Sequence, residues 1–387
     1  MPWKGETMES KRETFVKRVI SNEQTKSALC QEYGISRPTG DKWIKRYSQG
    51  ESMADRSRRP FKTPNRVNEA IEAEVVSLRK SHPALGAKKL KRLLEDQGKP
   101  APAYSTINAI LHRNNLITPA ASAAATPHVR FEKAAPNEMW QADFKGSFLL
   151  ENNQRCYPLT VLDDHSRYSL CIDAKEGEKY LSTRESFERL FCTYGLPQSI
   201  LCDNGNPWGT AQSTGLSQFE VWLMDLGILT IHCKVRRPQT QGKEERFNGT
   251  LKRELLNYQK LNDMPHAQQA FDEFKAFYNT KRPHHALGLD TPATRYTPSN
   301  QSFCAEIPSW TYPSHMDTRT IKKPGYLTFH GKGYFLSESL GGRKVGLEES
   351  MSQPGLFHVV YRGFRVATVD VDERAVTSRK VRRWPET

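Results

Sequence analysis

Between residues 138 and 260 the chain sets out an order of elements that few folds accommodate: three strand-like segments in a row, then helices and strands in alternation. Segments 138–146, 154–163 and 167–175 alternate or run apolar, joined by short polar turns such as Asp163-Asp-His-Ser166. An amphipathic helix over about 178–194 follows, then a strand at Ser199–Cys202, a helix near 215–226, a strand at Leu229–Val235 and a helix from about 244. Three antiparallel strands followed by this alternation predict an α/β unit built on a mixed sheet.

Three acidic residues sit at the decisive points of that order. Asp143 lies in Trp140-Gln-Ala-Asp-Phe-Lys-Gly146 on the first strand, Asp203 in Leu201-Cys-Asp-Asn-Gly205 just past the fourth, and Glu245 in Pro238-Gln-Thr-Gln-Gly-Lys-Glu-Glu-Arg-Phe247 on the last helix. A lone Asp at a strand end is ordinarily a solvated turn residue, and Asp-Asn-Gly is a common turn signal. The combination outweighs that reading. Hard divalent cations such as Mg²⁺ take carboxylate oxygens and keep positions open for water and phosphate, so three converging acids suit phosphodiester chemistry.

These phrases resemble the catalytic core of retroviral-type integrases and of the related insertion-sequence transposases, the DDE family, over about residues 136 to 298. The resemblance implies an RNase H-like core with Asp143, Asp203 and Glu245 as catalytic and metal-holding carboxylates. It implies Mg²⁺ as cofactor, two ions per site, with Mn²⁺ as a substitute. It further implies a reaction in two stages: water attacks at the ends of a mobile element to expose 3′-hydroxyls, which then attack a target phosphodiester. Double-stranded DNA, both element ends and target, is the partner implied, bound by at least a dimer; an accessory ATPase is neither implied nor excluded. Trp140, Lys145, Asp164 with Ser166 and Arg167, Gln239, Gln241, Asn248 and the segment Tyr278-Asn-Thr-Lys-Arg-Pro-His-His-Ala-Leu287 also match the family's wording. The adjacent His284 and His285 lack ligand partners and are read as orienting the loop or touching a phosphate, not as metal ligands.

The third acid could be Glu244 or Glu245. Measured from Phe247 at about 100° per residue, the stripe Phe247, Leu251, Leu255 centres near about 40°, Glu244 lies at about 60° and Glu245 at about 160°. Glu245 is off the stripe. Lys252, at about 140°, shares its face and is placed to hold a DNA phosphate. In the family the Glu follows the motif glycine by three residues, as Glu245 follows Gly242. One departure is the gap of 41 residues between Asp203 and Glu245, longer than the family's usual spacing, which the segment Pro207–Ser217 can absorb as a loop.

Residues 10–60 are read as a helix-turn-helix domain. Phe15, Val16, Val19 and Ile20 mark one apolar face, Gly34 the tight turn, and Ser36 the cap of the next helix, with Pro38 in its first turn. Trp43, Ile44 and Tyr47 then face inward, leaving Arg37, Thr39, Lys42, Lys45 and Arg46 for phosphates or base edges. A basic connector, Asp55–Lys62, leads to a second helical domain over 61–117, which resembles the winged helix-turn-helix of related transposases; Lys88, Lys89, Lys91 and Arg92 form its expected phosphate face. Residues 118–135, including Ala120-Ala-Ser-Ala-Ala-Ala-Thr-Pro127, read as a low-complexity linker. After the core, residues 299–387 turn to short, glycine-punctuated strands: Gly325–Leu336, Lys344–Leu347 and Phe357–Val369. They suggest hairpins closing into a small β-barrel. The fold class expected is therefore multidomain: helical helix-turn-helix domains, an α/β core and a carboxy-terminal barrel.

Charge divides along the same lines. The chain carries a net +14, but residues 1–117 hold 23 Lys and Arg against 13 Asp and Glu, whereas residues 136–300 hold 19 against 20. A basic excess outside the acidic core fits flanking domains that hold DNA around a site that cuts it, although basic composition alone would also suit RNA. Seven scattered cysteines without a Cys-x-x-Cys pair argue against a disulfide framework or a zinc site. No run of eighteen apolar residues occurs and the first residues lack the apolar stretch of a signal peptide, so a cytoplasmic, nucleoid-associated bacterial protein with no membrane contact is expected. Two other functions compete: a DNA-binding regulator with an unused core, and a different RNase H-like nuclease such as a junction resolvase. The intact acids argue against the first and the paired helix-turn-helix segments against the second.

Overall fold

The computed structural model describes residues 7–56, 67–117, 132–209, 215–232, 242–378 and 381–385. The linker over 118–131, most of the basic connector, and the Pro238–Gln241 part of the Glu245 phrase, with Gln239 and Gln241, lie outside the described residues. The chain divides into two units, Met1–Arg66 and Val67–Thr387.

In the first unit, helices α1 (Met8–Ile20), α2 (Lys26–Glu32) and α3 (Arg37–Ser48) each begin at a hydroxyl cap. Thr7, Thr25 and Ser36 accept from the backbone N–H three residues on, satisfying a donor the helix itself cannot. Gly34 takes φ +62° after α2, the left-handed turn that a side chain would resist. The helices close over Phe15, Val16, Leu29, Cys30, Trp43 and Met53. Gly40 marks the tightest point of this small core. A Cβ there would lie 2.8 Å from Cys30 Sγ and 3.1 Å from Phe15 Cζ. Gly40→Val is therefore expected to cost this unit about 1–3 kcal/mol by overpacking. Hydrogen exchange of the α3 amides in the full chain checks this, and unchanged protection would refute it.

The second unit begins with α4 (Glu69–Ser81), α5 (Ala87–Asp96) and α6 (Tyr104–Arg113), packed through Val75, Leu90, Leu94, Ile107 and Ile110. No strand accompanies these helices among the described residues, so the wing expected here is not found among them. Their apolar cluster extends to Phe277 of α10 (Met264–Thr280), on whose ring His82 stacks at 4.5 Å. These helices thus pack directly on the α/β core.

That core holds β1 (Trp140–Phe144), β2 (Phe148–Leu149), β3 (Arg155–Asp163), β4 (Ser169–Lys175), β5 (Ser199–Cys202) and β6 (Leu229–His232). The sheet runs β2-β3-β1-β5-β6, with β4 also on β3; β1, β3 and β4 pair antiparallel, and β5 lies parallel between β1 and β6. This is the mixed, RNase H-like sheet expected from the order of elements. Side chains alternate across it. Trp140, Ala142, Leu159 and Val161 face α7 (Tyr180–Tyr194) and α8 (Gln218–Asp225), while Cys156, Leu162 and Ile172 pack with Phe247, Leu251, Phe271 and Phe274 from α9 (Gly242–Leu251) and α10. Gln141 and Asp143 therefore belong to the α9 face. Helix α9 runs on into a π-helical turn, Lys252–Leu256.

Beyond the core come β7 (Asp317–Thr320), the hairpin β8 (Tyr326–Phe329) and β9 (Lys332–Phe335), then β10 (Lys344–Glu349), β11 (Leu356–Tyr361), β12 (Phe364–Asp370), β13 (Ala375–Ser378) and β14 (Arg382–Arg383). The main sheet runs β13-β12-β11-β10-β7, with β14 on β12. No ladder joins β7 to β13 among the described residues, so the expected barrel is here an antiparallel sheet that is not closed. Helix α8 explains how the sheet is held: it is buried on every side from Phe219 to Asp225, as an all-round buried helix must be. Phe219, Trp222 and Leu223 enter the core cluster, while Val221 and Met224 enter that of the carboxy-terminal sheet. Asp225, fully buried at its carboxylate, pairs with Arg343 at 2.7 Å and Arg362 at 3.0 Å. Both arginines are thus committed to the carboxylate of α8. No helix among the described residues is long and apolar enough to cross a membrane.

Candidate active site

Register brings the two aspartates together. In the parallel ladder Gln141 faces Leu201, so two residues further on Asp143 comes level with Asp203, on strands spaced about 4.8 Å apart. Asp203 sits in a turn in which its own carboxylate accepts from the Gly205 N–H at 2.9 Å. A side chain at 205 would crowd that carboxylate, since a Cβ there would stand 3.2 Å from Oδ2. Beneath the turn, His232 Nδ1 lies 2.8 Å from the Asp203 carbonyl and Nε2 lies 2.8 Å from Glu220. Burial works against a charged imidazole there, but Glu220 and the Asp203 carbonyl outweigh it and hold His232 above its usual range.

Asp143 is held from the helix side. Asn248 Nδ2 donates to Asp143 Oδ2 at 2.8 Å, and Thr160, opposite Asp143 on β3, donates to its carbonyl at 3.2 Å. Burial and then the nearby Asp203 charge push the Asp143 carboxyl up to about 7; the Phe144 backbone and Asn248 pull in the opposite direction. A site that raises a carboxyl this way favours either a proton or a cation between the acids. Glu178, in the loop before α7, is a fourth acid at the cleft: burial and Asp203 raise it, and its own charge adds to the rise at Asp143. Nothing local in the sequence marks it.

The two glutamates of α9 lie on either side of Asn248. Glu244 is buried, neither carboxyl oxygen has a partner in hydrogen-bonding geometry because the nearby Thr160 hydroxyl is turned to the Asp143 carbonyl, and burial, then Asp143, raise it well above the usual range. Glu245 is exposed. Relative to Asn248, Glu244 lies about 40° to the buried side and Glu245 about 60° to the open side. Lys252 is exposed and close enough to Lys145 for its charge, after burial, to lower the Lys145 ammonium below its usual range. An anion beside these two cations would relieve their mutual repulsion. Among the described residues no three His, Cys, Asp or Glu side chains stand close enough together to form a metal-holding group, so Glu245 is not gathered with the aspartates. The oxygen donors themselves are those a hard divalent cation takes.

The residues expected to meet DNA divide. Lys42, Lys45 and Arg37 are exposed on α3, with Arg37 donating to Ser27 at 2.7 Å; Thr39 is half-buried against Ser36. Arg46 departs from expectation: it is buried, stacked on Trp43 and paired with Glu51, because its guanidinium satisfies the unit's own rim. On α5, Lys88 is exposed over the Tyr104 ring. Lys89 turns instead toward the core, and Arg92 is held in ion pairs at the surface. Burial and then Arg282 push Lys89 down to about 8, against Glu254, and Arg92 pairs with Asp96 at 2.8 Å and approaches Asp290 at 3.8 Å. His284 is buried against Tyr278 and Arg282, and burial first of all pushes it down to about 3, so it is a neutral packing residue.

Comparison with known proteins agrees with this architecture. Residues 133–238 and 226–292 match two models described as integrase core domains, residues 11–61 a helix-turn-helix domain and residues 39–111 a homeodomain-like domain. The chain is similar to the insertion element IS476 uncharacterized 39.2 kDa protein of Xanthomonas euvesicatoria, 27% identical over 62% of this chain and 69% of that one. It is also similar to the insertion element IS407 uncharacterized 31.7 kDa protein of Burkholderia multivorans, 26% identical over 59% of this chain and 82% of that one. Among solved structures, the HTLV-2 integrase catalytic core domain in complex with magnesium is 19% identical, covering 42% of this chain and 99% of that one at a TM-score of 0.33. The simian T-cell lymphotropic virus intasome is 17% identical, covering 75% and 96% at a TM-score of 0.37.

Proposed function

We propose that this chain, an insertion-element protein with an integrase core domain behind helix-turn-helix domains, is the element's transposase: it binds the element's ends, cleaves them to expose 3′-hydroxyls and joins these to target DNA. The observation that supports the reading is the pair Asp143 and Asp203, brought level by the β1/β5 register, with Glu245 exposed in the first turn of α9. Asp143, Asp203 and Glu245 would hold Mg²⁺ or Mn²⁺, two ions per site. The metal would supply activation of the attacking oxygen and stabilisation of the leaving one. Asn248 keeps one Asp143 oxygen aimed into the cleft. Gly205 leaves the Asp203 carboxylate uncrowded, and Lys145 with Lys252 would seat a phosphate of the bound strand. No covalent enzyme intermediate is required. The carboxy-terminal sheet, completed as a small barrel, would add contacts along the DNA, and two ends processed together call for at least a dimer on DNA.

Incubating the protein with duplexes of the element's own ends and Mg²⁺ tests this, and 3′-end nicking confined to those ends is the expected result. No nicking with Mg²⁺ or Mn²⁺ would refute it. On α3, Lys45→Ala should weaken all duplexes alike and lower the salt slope by about 1, whereas Arg37→Ala or Lys42→Ala should alter preference between end and random sequence. Titrations at several salt concentrations decide it; equal losses on both duplexes for all three variants would remove the base-reading assignment.

A further inference from the structure

We infer that Lys243 is a positioning residue which, through Asp164 and Gln141, pins the start of α9 over β1 and so fixes where Glu245 stands. The inference rests on the proposed role of Glu245. Asp164 is fully buried in the turn after β3, its backbone N–H bonded to the Met139 carbonyl at 3.0 Å. Its Oδ1 accepts from Gln141 Nε2 at 2.6 Å, and its Oδ2 accepts from the Lys133 N–H at 2.8 Å and meets Lys243 Nζ at 2.6 Å. Lys243 also donates to the Asp164 carbonyl at 3.0 Å. The chain of contacts thus runs from β1, at Gln141, to the first turn of α9. Gln141 and Asp143 lie two apart on the same face of β1.

The second attachment is Asn248 to Asp143. Residues 243 and 248 are five apart, about 7.5 Å along the helix axis, and Glu245 stands between them. One attachment would leave the helix free to pivot about it; two remove that freedom. A buried, charge-assisted contact is stiff, because letting go of either partner strands a charge away from water. Lys243 itself touches none of the three acids, so its effect passes through the backbone of α9.

Hydrogen exchange on the metal-free full chain tests this without DNA or catalysis. Lys243→Met should speed exchange of the amides of residues 244–251 while leaving β3 and α10 protected, and Lys243→Arg should restore protection. Mn²⁺ affinity, read by electron paramagnetic resonance, should fall about tenfold or more in Lys243→Met, as for other outer partners of a metal site. Because a stranded Asp164 could unfold the region, the neutral pair Lys243→Gln with Asp164→Asn serves as the second variant, and it too should loosen residues 244–251. Unchanged α9 exchange in both, or loosening spread equally over β3 and α10, would overturn the inference. A wild-type chain that fails to nick element ends would count against the proposed function and leave this result standing.

Discussion

Asp143→Asn is expected to silence both cleavage and joining while raising the stability of the metal-free protein at pH 8 and leaving it nearly unchanged at pH 4. The activity loss follows from removing a carboxylate that would face the reacting phosphate, for which comparable electrostatic groups set a scale of about a hundredfold or more. The gain in stability follows from linkage. Asp143 is pushed up to about 7 in the folded chain against 3.8 unfolded, so between these values the folded state holds the extra proton. Stability from this group is therefore complete below about pH 4 and is lost as pH rises toward 7. Above 7 the ionised carboxylate costs on the order of 4 kcal/mol, at about 1.4 kcal/mol per pKa unit. Asparagine keeps an oxygen for the Asn248 amide and carries no charge, so it escapes that cost. Adding Mg²⁺ should then stabilise the wild type and not the variant. Thermal unfolding at pH 4 and pH 8, with and without Mg²⁺, measures all of this. A variant no more stable than wild type at pH 8 would show that neither burial nor the neighbouring Asp203 penalises the ionised carboxylate, and a variant that still cleaves would sink the metal mechanism.

How much of this could be seen in the sequence depends on range. Apolar alternation marked 138–146 as a strand carrying Asp143, and the helical wheel separated Glu244 from Glu245, because both patterns are local. Contacts made by distant segments left no such trace. Lys243 meets Asp164 across 79 positions of chain, and Asp225 meets Arg343 across 118. Lys89 read as part of a phosphate face from α5 alone; only the packing of α4–α6 on α10 turns it inward. Arg46 misled for a related reason: on the wheel it lies between Lys42, about 40° away, and the buried Trp43, about 60° away, and Glu51, beyond the helix end, captures it. Glu178 sits in a loop, where neither period applies, and the expected barrel is not seen closed among the described residues, a point on which strand count and glycine spacing are silent.

The two neighbouring glutamates give the sharpest separation of roles. Glu245→Gln keeps the side chain's size and removes its charge, and it should abolish 3′-end cleavage and strand transfer while leaving end binding intact. Losing such a group removes about 2.7–4 kcal/mol of transition-state stabilisation, so a rate loss of at least roughly a hundredfold is expected, with slight rescue by Mn²⁺. Glu244 differs in every physical respect. It is buried, without a hydrogen-bond partner at either oxygen, and burial keeps its proton on, so a glutamine there changes neither the charge in use nor the shape of the core. Glu244→Gln should cleave as the wild type does. Glu244→Met goes further. Replacing an unsatisfied buried acid with an apolar side chain of similar length should stabilise the fold by about 1–3 kcal/mol, since the desolvation cost of the carboxyl disappears. Single-turnover cleavage of end duplexes, set beside thermal unfolding of the same three variants, reads both effects at once. An active Glu245→Gln together with a dead Glu244→Gln would reverse the register on α9 while sparing the reaction class. A destabilised Glu244→Met would mean that the buried acid is satisfied after all, and that the helix sits differently over Asp143.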